Sequence, residues 1–280
     1  MGEYFAGVDI GSTMTKVAIV DEAVVASVIG PTGPEHRKLA NRVMEEALSK
    51  AGLRFDDISY VVATGYGRVN VPFADRQITE ISCHARGISS LLPTVRTVID
   101  IGGQDCKGIK LDKGRVVEFV MNDKCAAGTG RFLEVIADAL GIKLEEMGEL
   151  SLTARNEVNI SSTCTVFAEQ EIVAKLTEGI ALADLLAGVH NSIATRVKAM
   201  VSRLKIEPDI AVTGGVAKNI GLLRMLEAKL GRPVLTPPEP LLTGAIGAAL
   251  LAKEAVRAAA ENNSPLTRSR HALQEATFFT

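Results

Sequence analysis

Two short segments of the chain repeat one combination of charged and small residues. Val8-Asp9-Ile10-Gly11 is followed by Lys16, and Ile99-Asp100-Ile101-Gly102 is followed by Lys107, so Asp, Ile, Gly and Lys recur at a common spacing between apolar β-type runs. Backbone N–H groups in a glycine-rich turn form a concavity that accepts an anion, because no side chain holds the phosphate oxygens away. Gly11-Ser12-Thr13 and Gly102-Gly103-Gln104 both qualify. An Asp ending the strand before such a turn, Asp9 or Asp100, can hold Mg²⁺ through its water shell, since Mg²⁺ dehydrates reluctantly and usually takes only one or two carboxylates. Lys16 adds positive charge beside the phosphates. A single copy would read as a tight hairpin whose glycine serves only the turn. Two copies favour phosphate chemistry.

Two of the four cysteines form a second constellation. Asn122-Asp123-Lys124-Cys125-Ala126-Ala127-Gly128-Thr129-Gly130-Arg131-Phe132 puts a thiol before an expected helix, and Ser161-Ser162-Thr163-Cys164-Thr165-Val166-Phe167-Ala168-Glu169 puts another at a helix start, with Ala168, Ile172 and Leu176 as its apolar face. Unpaired N–H groups and the helix dipole at such positions favour a thiolate, the form that binds iron. Two ligands fall short of the four that a 4Fe-4S cluster needs, which leaves either Cys83 and Cys106 as the other pair or a second copy of the chain. Taken on position alone, a cysteine is more commonly an idle or buried thiol.

The elements that would position these residues follow from the apolar pattern. Tyr4 to Ile10 and Lys16 to Val20 read as a hairpin. Leu39, Ala40, Val43, Met44, Ala47 and Leu48 recur at helical spacing and stop at Gly52, and Ile58 to Ala63 reads as a strand ending at Thr64-Gly65-Tyr66-Gly67-Arg68. The second copy continues with a helix through Phe132, Leu133, Ile136 and Leu140, another from about Cys164 and a third over Leu185 to Leu204. A buried-strand pattern at Asp209 to Thr213 then runs into Gly214-Gly215, where paired glycines would let a nucleoside lie against the backbone. The small-residue helix Gly244 to Ala260 can approach another backbone closely. The expected division is 1–96 as a first half completed by helix 244–260, 97–243 as a second half, and 261–280 as a tail without pattern and without fixed structure.

Composition narrows the function classes. The chain has 280 residues, 47% of them apolar, enough for two packed α/β halves. Lys plus Arg number 31 against 33 Asp plus Glu, a formal charge of -2, which argues against nucleic acid as a partner. Aromatics are 4% with no Trp, a poor basis for base-stacking or carbohydrate platforms. No run reaches the roughly 18 apolar residues that span a bilayer, and Met1-Gly2-Glu3-Tyr4 lacks the build of a signal peptide, so no membrane role and a cytoplasmic location are expected. Four cysteines are too few for a disulfide scaffold. Neither a Gly-x-x-x-x-Gly-Lys-Ser/Thr run nor a Gly-x-Gly-x-x-Gly after a strand occurs, which removes the P-loop and Rossmann explanations.

A duplicated fold with two phosphate hairpins and one adenosine turn resembles the actin, sugar-kinase and heat-shock-chaperone ATPases: α/β, two similar halves around a nucleotide cleft. The runs around Cys125 and Cys164 narrow the resemblance. Together with Thr64-Gly65-Tyr66-Gly67-Arg68, Asp100-Ile101-Gly102-Gly103-Gln104-Asp105 and Thr213-Gly214-Gly215-Val216-Ala217, they resemble the activator ATPases of 2-hydroxyacyl-CoA dehydratases and the ATPase subunits of benzoyl-CoA reductases. That resemblance implies a homodimer sharing one 4Fe-4S cluster on Cys125 and Cys164 of both chains. It implies hydrolysis of Mg-ATP to ADP, a ferredoxin or flavodoxin as electron donor, and an iron-sulfur acyl-CoA dehydratase or reductase as acceptor. It puts phosphate and Mg²⁺ contacts on Asp9, Gly11, Ser12, Thr13, Lys16, Asp100 and the Gly102-Gly103-Gln104-Asp105 turn, with Asp9, Gln104 and Asp105 as catalytic residues. Nucleoside contacts fall on Gly214, Gly215 and Lys218. Cys83 and Cys106 match no ligand position of the family and read as structural.

Two other classes stay open on the sequence. A small-molecule kinase of the same superfamily could use Asp123 or Glu169 as base, but would leave both cysteines idle and has little insertion from which to build a sugar pocket. A chaperone-type nucleotide module would lack its usual peptide-binding domain.

Overall fold

The computed structural model describes residues 3–161, 164–268 and 272–273. In chain order the principal elements are β1 (Tyr4–Ile10), β2 (Met14–Val20), β3 (Val24–Pro31), α1 (His36–Ala51), β4 (Ile58–Thr64), β5 (Arg76–Gln77), α2 (Glu80–Leu91), β6 (Thr97–Ile101), β7 (Cys106–Asp112), β8 (Arg115–Asn122), α3 (Gly130–Leu140), α4 (Met147–Ser151), α5 (Thr165–Thr177), α6 (Leu182–Val201), β9 (Ile210–Thr213), α7 (Ile220–Leu230) and α8 (Thr243–Glu261). They fall into two compact units. The first contains the chain up to Thr94, the turn Asp112–Val116 and the described residues after Pro240; the second contains Val95–Leu111 and Val117–Pro240.

In the first unit the sheet order is β3-β2-β1-β4-β5, with β1 antiparallel to β2 and parallel to β4. The apolar residues of β1 and β2 are buried on both faces, as a sheet covered on both sides requires. One face packs on α1 through Leu39, Val43, Met44, Ala47 and Leu48. Gly52 ends that helix in the left-handed conformation at φ 66°, its N–H donating to the Leu48 and Ser49 carbonyls. The other face packs on α8, whose small residues allow backbone-to-backbone approach: a side chain on Gly7 would strike the Ala245 carbonyl, and one on Gly247 would strike the carbonyl of Cys83 on α2.

The second unit repeats this plan. Its sheet runs β8-β7-β6-β9, with β6 antiparallel to β7 and parallel to β9. Strand for strand it matches β3-β2-β1-β4 of the first unit, as duplication of one half would produce. The core gathers Ile99 and Ile101 of β6, Phe132, Leu133 and Ile136 of α3, and Leu185, Val189 and Ile193 of α6. Four helices, α3 to α6, lie between β8 and β9 in the chain, where the first unit has only α1 between β3 and β4.

Three expectations need correction. Cys125 is not at a helix start: the chain makes a turn closed by Thr129 N–H and Oγ to the Ala126 carbonyl, passes Gly128 at φ 93°, and only then enters α3 at Gly130. Leu176 is 38% exposed, so the buried face of α5 is Ala168 and Ile172 alone. After α8, Leu266 packs on the first unit's core and Tyr60 Oη donates to the Thr267 carbonyl at 2.8 Å, so the described part of 261–280 does make tertiary contacts. Residues 269–271 and 274–280 lie outside the described residues, as do Ser162 and Thr163 of the second cysteine run.

Candidate functional site: two aspartate hairpins and two exposed thiols

Pairing register explains why the Asp and Lys of each repeat meet. In an antiparallel pair, directly opposed residues project to the same face. Asp9 of β1 is opposite Lys16 of β2, and Asp100 of β6 is opposite Lys107 of β7. Lys16 Nζ lies 3.0 Å from Asp9 Oδ2; Lys107 Nζ lies 3.5 Å from Asp100 Oδ2 and 2.8 Å from Asp105 Oδ2. The four side chains of the two Asp-Lys pairs are nearly buried, so each pair removes the cost of an isolated buried charge. Both turns close alike, Gly11 N–H to the Met14 carbonyl at 3.0 Å and Gly102 N–H to the Asp105 carbonyl at 2.9 Å. Among the described residues the amides of Ser12 and Thr13 in one turn, and of Gly103 and Gln104 in the other, meet no protein acceptor. The two turns thus present paired, half-exposed donors suited to phosphate oxygens.

A second correspondence carries no signal in the Asp-Ile-Gly-Lys spacing. Thr64-Gly65 at the end of β4 and Thr213-Gly214 at the end of β9 occupy the same place in the two sheets: Asp9 pairs with Thr64, and Asp100 with Thr213. Both glycines have positive φ, 82° and 84°, and neither has room for a Cβ. At Gly65 it would strike Asp9 Oδ1 and the Ile10 carbonyl; at Gly214, the Ile101 carbonyl. Thr213 Oγ1 donates to Asp100 Oδ1 at 2.8 Å. The shared Thr-Gly pair at the ends of the Ile58 and Asp209 strand patterns is the sequence signal that marks this match.

The two aspartates differ in their surroundings. Asp100 is enclosed by Thr213 and Lys107. Asp9 lies close against Gly244 at the start of α8, where a Cβ would stand 2.8 Å from Asp9 Oδ2 and 3.2 Å from His84 Nε2, too near for any side chain. A buried carboxylate next to a turn whose Ser12 and Thr13 amides meet no protein acceptor is a donor set that fits a hydrated Mg²⁺ with its phosphate.

The Gly214-Gly215 turn, where a nucleoside is expected, leads through Val216, Ala217 and Lys218 to Asn219, whose Oδ1 accepts the Leu222 N–H at 2.9 Å and caps α7. Lys218 Nζ pairs with Glu239 Oε2 at 2.9 Å. Behind the turn Ser151 Oγ donates to the Gly148 carbonyl, so it accepts from His190 Nδ1–H at 3.0 Å, and His190 Nε2 accepts from the Asn219 amide at 3.1 Å. Burial lowers the His190 pKa to about 4, which keeps the imidazole neutral in this network.

The cysteines divide cleanly. Cys83 and Cys106 are buried; burial pushes the Cys83 thiol up to about 12 and the Cys106 thiol higher still, so both are protonated near neutral pH. Cys125 and Cys164 are exposed and free. Cys125 sits in a loop clasped by Asn122, which accepts the Cys125 N–H at 3.3 Å and donates to the Cys125 carbonyl at 2.8 Å. Cys164 is the N-cap of α5, its carbonyl accepting the Ala168 N–H. Among the described residues no group of three or more His, Cys, Asp or Glu is arranged to hold a metal ion. One chain therefore presents two accessible thiols, a fit to half the ligand set of a 4Fe-4S cluster. Asp123, a candidate base for a kinase, pairs with Lys124 in the Cys125 loop.

Duplicated sheets with paired Asp-Lys hairpins define the actin-like, sugar-kinase-like ATPase fold. A hexokinase of the ROK type from Thermus thermophilus, 15% identical and matched over 91% of this chain and 99% of its own with a TM-score of 0.51, shares that fold alone. Residues 6–252 match the BadF/BadG/BcrA/BcrD ATPase family, and the chain belongs to that family. The activator of lactoyl-CoA dehydratase from Anaerotignum propionicum is 49% identical over 262 residues, covering 91% of this chain and 99% of the relative. The activator of the 2-hydroxyisocaproyl-CoA dehydratase from Clostridium difficile, solved with bound ADPNP, is 46% identical with a TM-score of 0.87, covering 92% of this chain and 97% of that one. No helix among the described residues is long and apolar enough to cross a membrane.

Proposed function

We propose that this protein is an ATP-dependent reductive activator: it hydrolyses Mg-ATP and passes one electron to an iron-sulfur acyl-CoA dehydratase or reductase. It works as a cytoplasmic homodimer and takes its electron from a ferredoxin or flavodoxin. The observation that carries this reading is one chain of an ATPase family holding both aspartate hairpins and two exposed thiols in short loops. Asp9, Ser12, Thr13 and Lys16 in one hairpin, and Asp100 and the Gly102-Gly103-Gln104-Asp105 turn in the other, hold phosphate and Mg²⁺. Asp9, Gln104 and Asp105 orient the attacking water and the metal's water shell. Bound Mg²⁺ would neutralise charge developing on the phosphoryl oxygens. Gly214, Gly215 and Lys218 receive the nucleoside.

Cys125 and Cys164 of two chains would hold one 4Fe-4S cluster, whose chemistry is one-electron transfer. A twofold axis makes the same patch meet itself, so two thiolates per chain become four.

Backbone bonds supply the connection between the two chemistries. The carbonyls of Gly102 and Gly103, in the second phosphate turn, accept the N–H groups of Gly130 and Arg131 at 2.8 Å each, the first two amides of α3. Loss of the γ-phosphate from that turn would shift the start of α3, and with it the loop clasping Cys125. A nucleotide biases such an equilibrium only by binding the two arrangements with different affinity.

The test is iron, sulfide and native mass of anaerobically prepared protein, with ATPase and electron-transfer assays alongside acyl-CoA dehydratases. The expected result is about two irons per chain in a dimer, lost in Cys125→Ala and Cys164→Ala and kept in Cys83→Ala and Cys106→Ala, with dehydration requiring ATP. A phosphorylated small-molecule product, or four irons in a monomer, overturns the reading.

A further inference from the structure

We infer that His190 is a positioning residue for the Gly214-Gly215 turn, which it holds through the side chain of Asn219. The inference rests on the reading of that turn as the place where the nucleoside binds. Every residue involved belongs to the second unit. The turn begins at Gly214, whose N–H donates to the Pro240 carbonyl at 3.0 Å, and continues as a 3₁₀ turn over Gly215–Lys218. Ala217 N–H returns to the Gly214 carbonyl at 3.2 Å, and Asn219 N–H to the Val216 carbonyl at 2.9 Å. The placing of Asn219 therefore sets the far end of the turn.

Both ends of the Asn219 amide are committed: Oδ1 accepts the Leu222 N–H at 2.9 Å, and Nδ2 donates to His190 Nε2 at 3.1 Å. Across the ring, Ser151 gives its proton to the Gly148 carbonyl at 2.7 Å and offers only lone pairs to Nδ1, 3.0 Å away. The place between them calls for a group that accepts on one side and donates on the other. A neutral imidazole with its proton on Nδ1 does both. Burial, which lowers the His190 pKa to about 4, keeps the ring in that form. The backbone around this network leaves little play. At Gly221, in the first turn of α7, a Cβ would strike Ser151 Oγ and stand 2.8 Å from the Gly148 carbonyl; at Gly148 it would stand 3.0 Å from Asn219 Oδ1. The start of α7 thus lies directly against α4, at a position where glycine is otherwise unfavourable in a helix. An unbroken series of hydrogen bonds runs from α4 through His190 of α6 to the turn. Preorganisation of this kind acts through the group it orients, and its loss weakens binding without removing any contact to the ligand.

The experiment compares wild type with His190→Ala, His190→Gln, Asn219→Ser and Gly215→Leu. It measures by calorimetry, well below each melting temperature, the Kd of ADP and the Kd of inorganic tripolyphosphate, both with Mg²⁺. A turn that reaches its binding arrangement only about a tenth of the time raises Kd about tenfold, and His190→Ala should do this for ADP while leaving tripolyphosphate within about twofold. His190→Gln, whose amide can both accept and donate, should recover most of the ADP affinity. Asn219→Ser keeps a capping oxygen for α7 but drops the donor to Nε2, so it should reproduce the selective loss, and it carries the same test should His190→Ala not fold. Equal losses for ADP and tripolyphosphate, or a lowered melting temperature with an unchanged Kd for ADP, make the histidine structural and overturn the inference. Gly215 is exposed and its φ is not left-handed, so leucine is compatible with the backbone there. If Gly215→Leu binds ADP like wild type, the turn does not hold the nucleoside and the underlying reading fails. A Gly215→Leu protein that loses ADP affinity beside an unaffected His190→Ala defeats the histidine alone.

Discussion

The two aspartate hairpins share strand order, register and turn closure, yet the space around each carboxylate is filled differently. Asp100 is satisfied by protein: Thr213 donates to one oxygen, Lys107 approaches the other, and the lysine also pairs with Asp105 in the adjoining turn. Asp9 keeps Lys16 but otherwise borders glycine at 65 and 244, where no side chain would fit. After a duplication both copies inherit the same backbone turn, while side chains decide how each carboxylate is surrounded. The second copy differs further in that its turn's carbonyls also carry the first amides of α3; under the proposed function the first copy would receive a charge and the second transmit it.

The largest effect expected from this contrast lies in hydrolysis. Asp9→Asn should lower the ATPase rate by about 10²- to 10³-fold, the usual cost of a group that stabilises charge developing in the transition state. Asp100→Asn should cost roughly tenfold in rate while lowering stability by about 1–3 kcal/mol, because Lys107 and Thr213 lose a charged partner in a buried setting. Steady-state rates and urea midpoints on both variants check the contrast; equal rates would mean that the copies are functionally interchangeable.

A second difference concerns acid. His190 belongs to the second unit, and its pKa of about 4 in the folded chain lies below the ordinary 6.5. Between those values the unfolded chain carries a proton that the folded chain refuses, so stability rises with pH across the window. It is fully present above about 6.5 and is lost as pH falls toward 4, by about 3 kcal/mol at the acid end. Urea midpoints from pH 7 to 4 should show this slope in wild type and a flatter profile in His190→Gln. An unchanged profile in the variant would remove His190 as its source.

Much of this was legible in the residues. The Asp-Ile-Gly-Lys repeat located both hairpins, because a hairpin places its chemistry a few residues apart and register does the rest. The helix over Leu39 to Leu48, the strand at Ile58 and the helix over Phe132 were equally plain, since each helix buries one periodic apolar face and the strand is a nearly continuous buried run. Strands β3 and β8 gave little signal: they are the outer strands of their sheets, with Val24, Val25, Val117 and Phe119 exposed. Helix α2 escapes a reading by apolar period, although Thr79 caps it by accepting the Ser82 N–H, and His84 escapes with it. No spacing rule could have paired His84 with Thr243, because that contact joins α2 to the last helix of the first unit. The run after Cys125 mimics a helix entrance, because small residues precede an apolar period. Gly128 and the bonds from Gly130 and Arg131 to the phosphate turn delay that entrance by a turn.

The smallest effect expected is at Lys218, which the family resemblance assigns to the nucleoside although the structure pairs it with Glu239 at 2.9 Å. Both side chains are substantially exposed, 52% and 33%, so the pair should contribute no more than about 1 kcal/mol to folding. Removing either partner should then leave the melting temperature within a few degrees of wild type. Their effects on nucleotide separate the two roles. If Lys218 serves the nucleoside, Lys218→Ala should raise the KM for ATP a few-fold with kcat unchanged, the signature of binding that is equal in ground and transition states. Glu239→Ala should lower KM or leave it alone, because the released lysine loses a competitor. Were the pair only a brace for the Gly214-Gly215 turn, both substitutions would loosen the same backbone and raise KM together. The first copy has Tyr66 and Gly67 after its own Thr64-Gly65, with Arg68 turned back on the Gly65 carbonyl at 3.0 Å, so it offers no equivalent lysine. Opposite shifts in the two variants would therefore locate nucleoside binding in the second copy; parallel shifts would leave that turn a structural counterpart of the first.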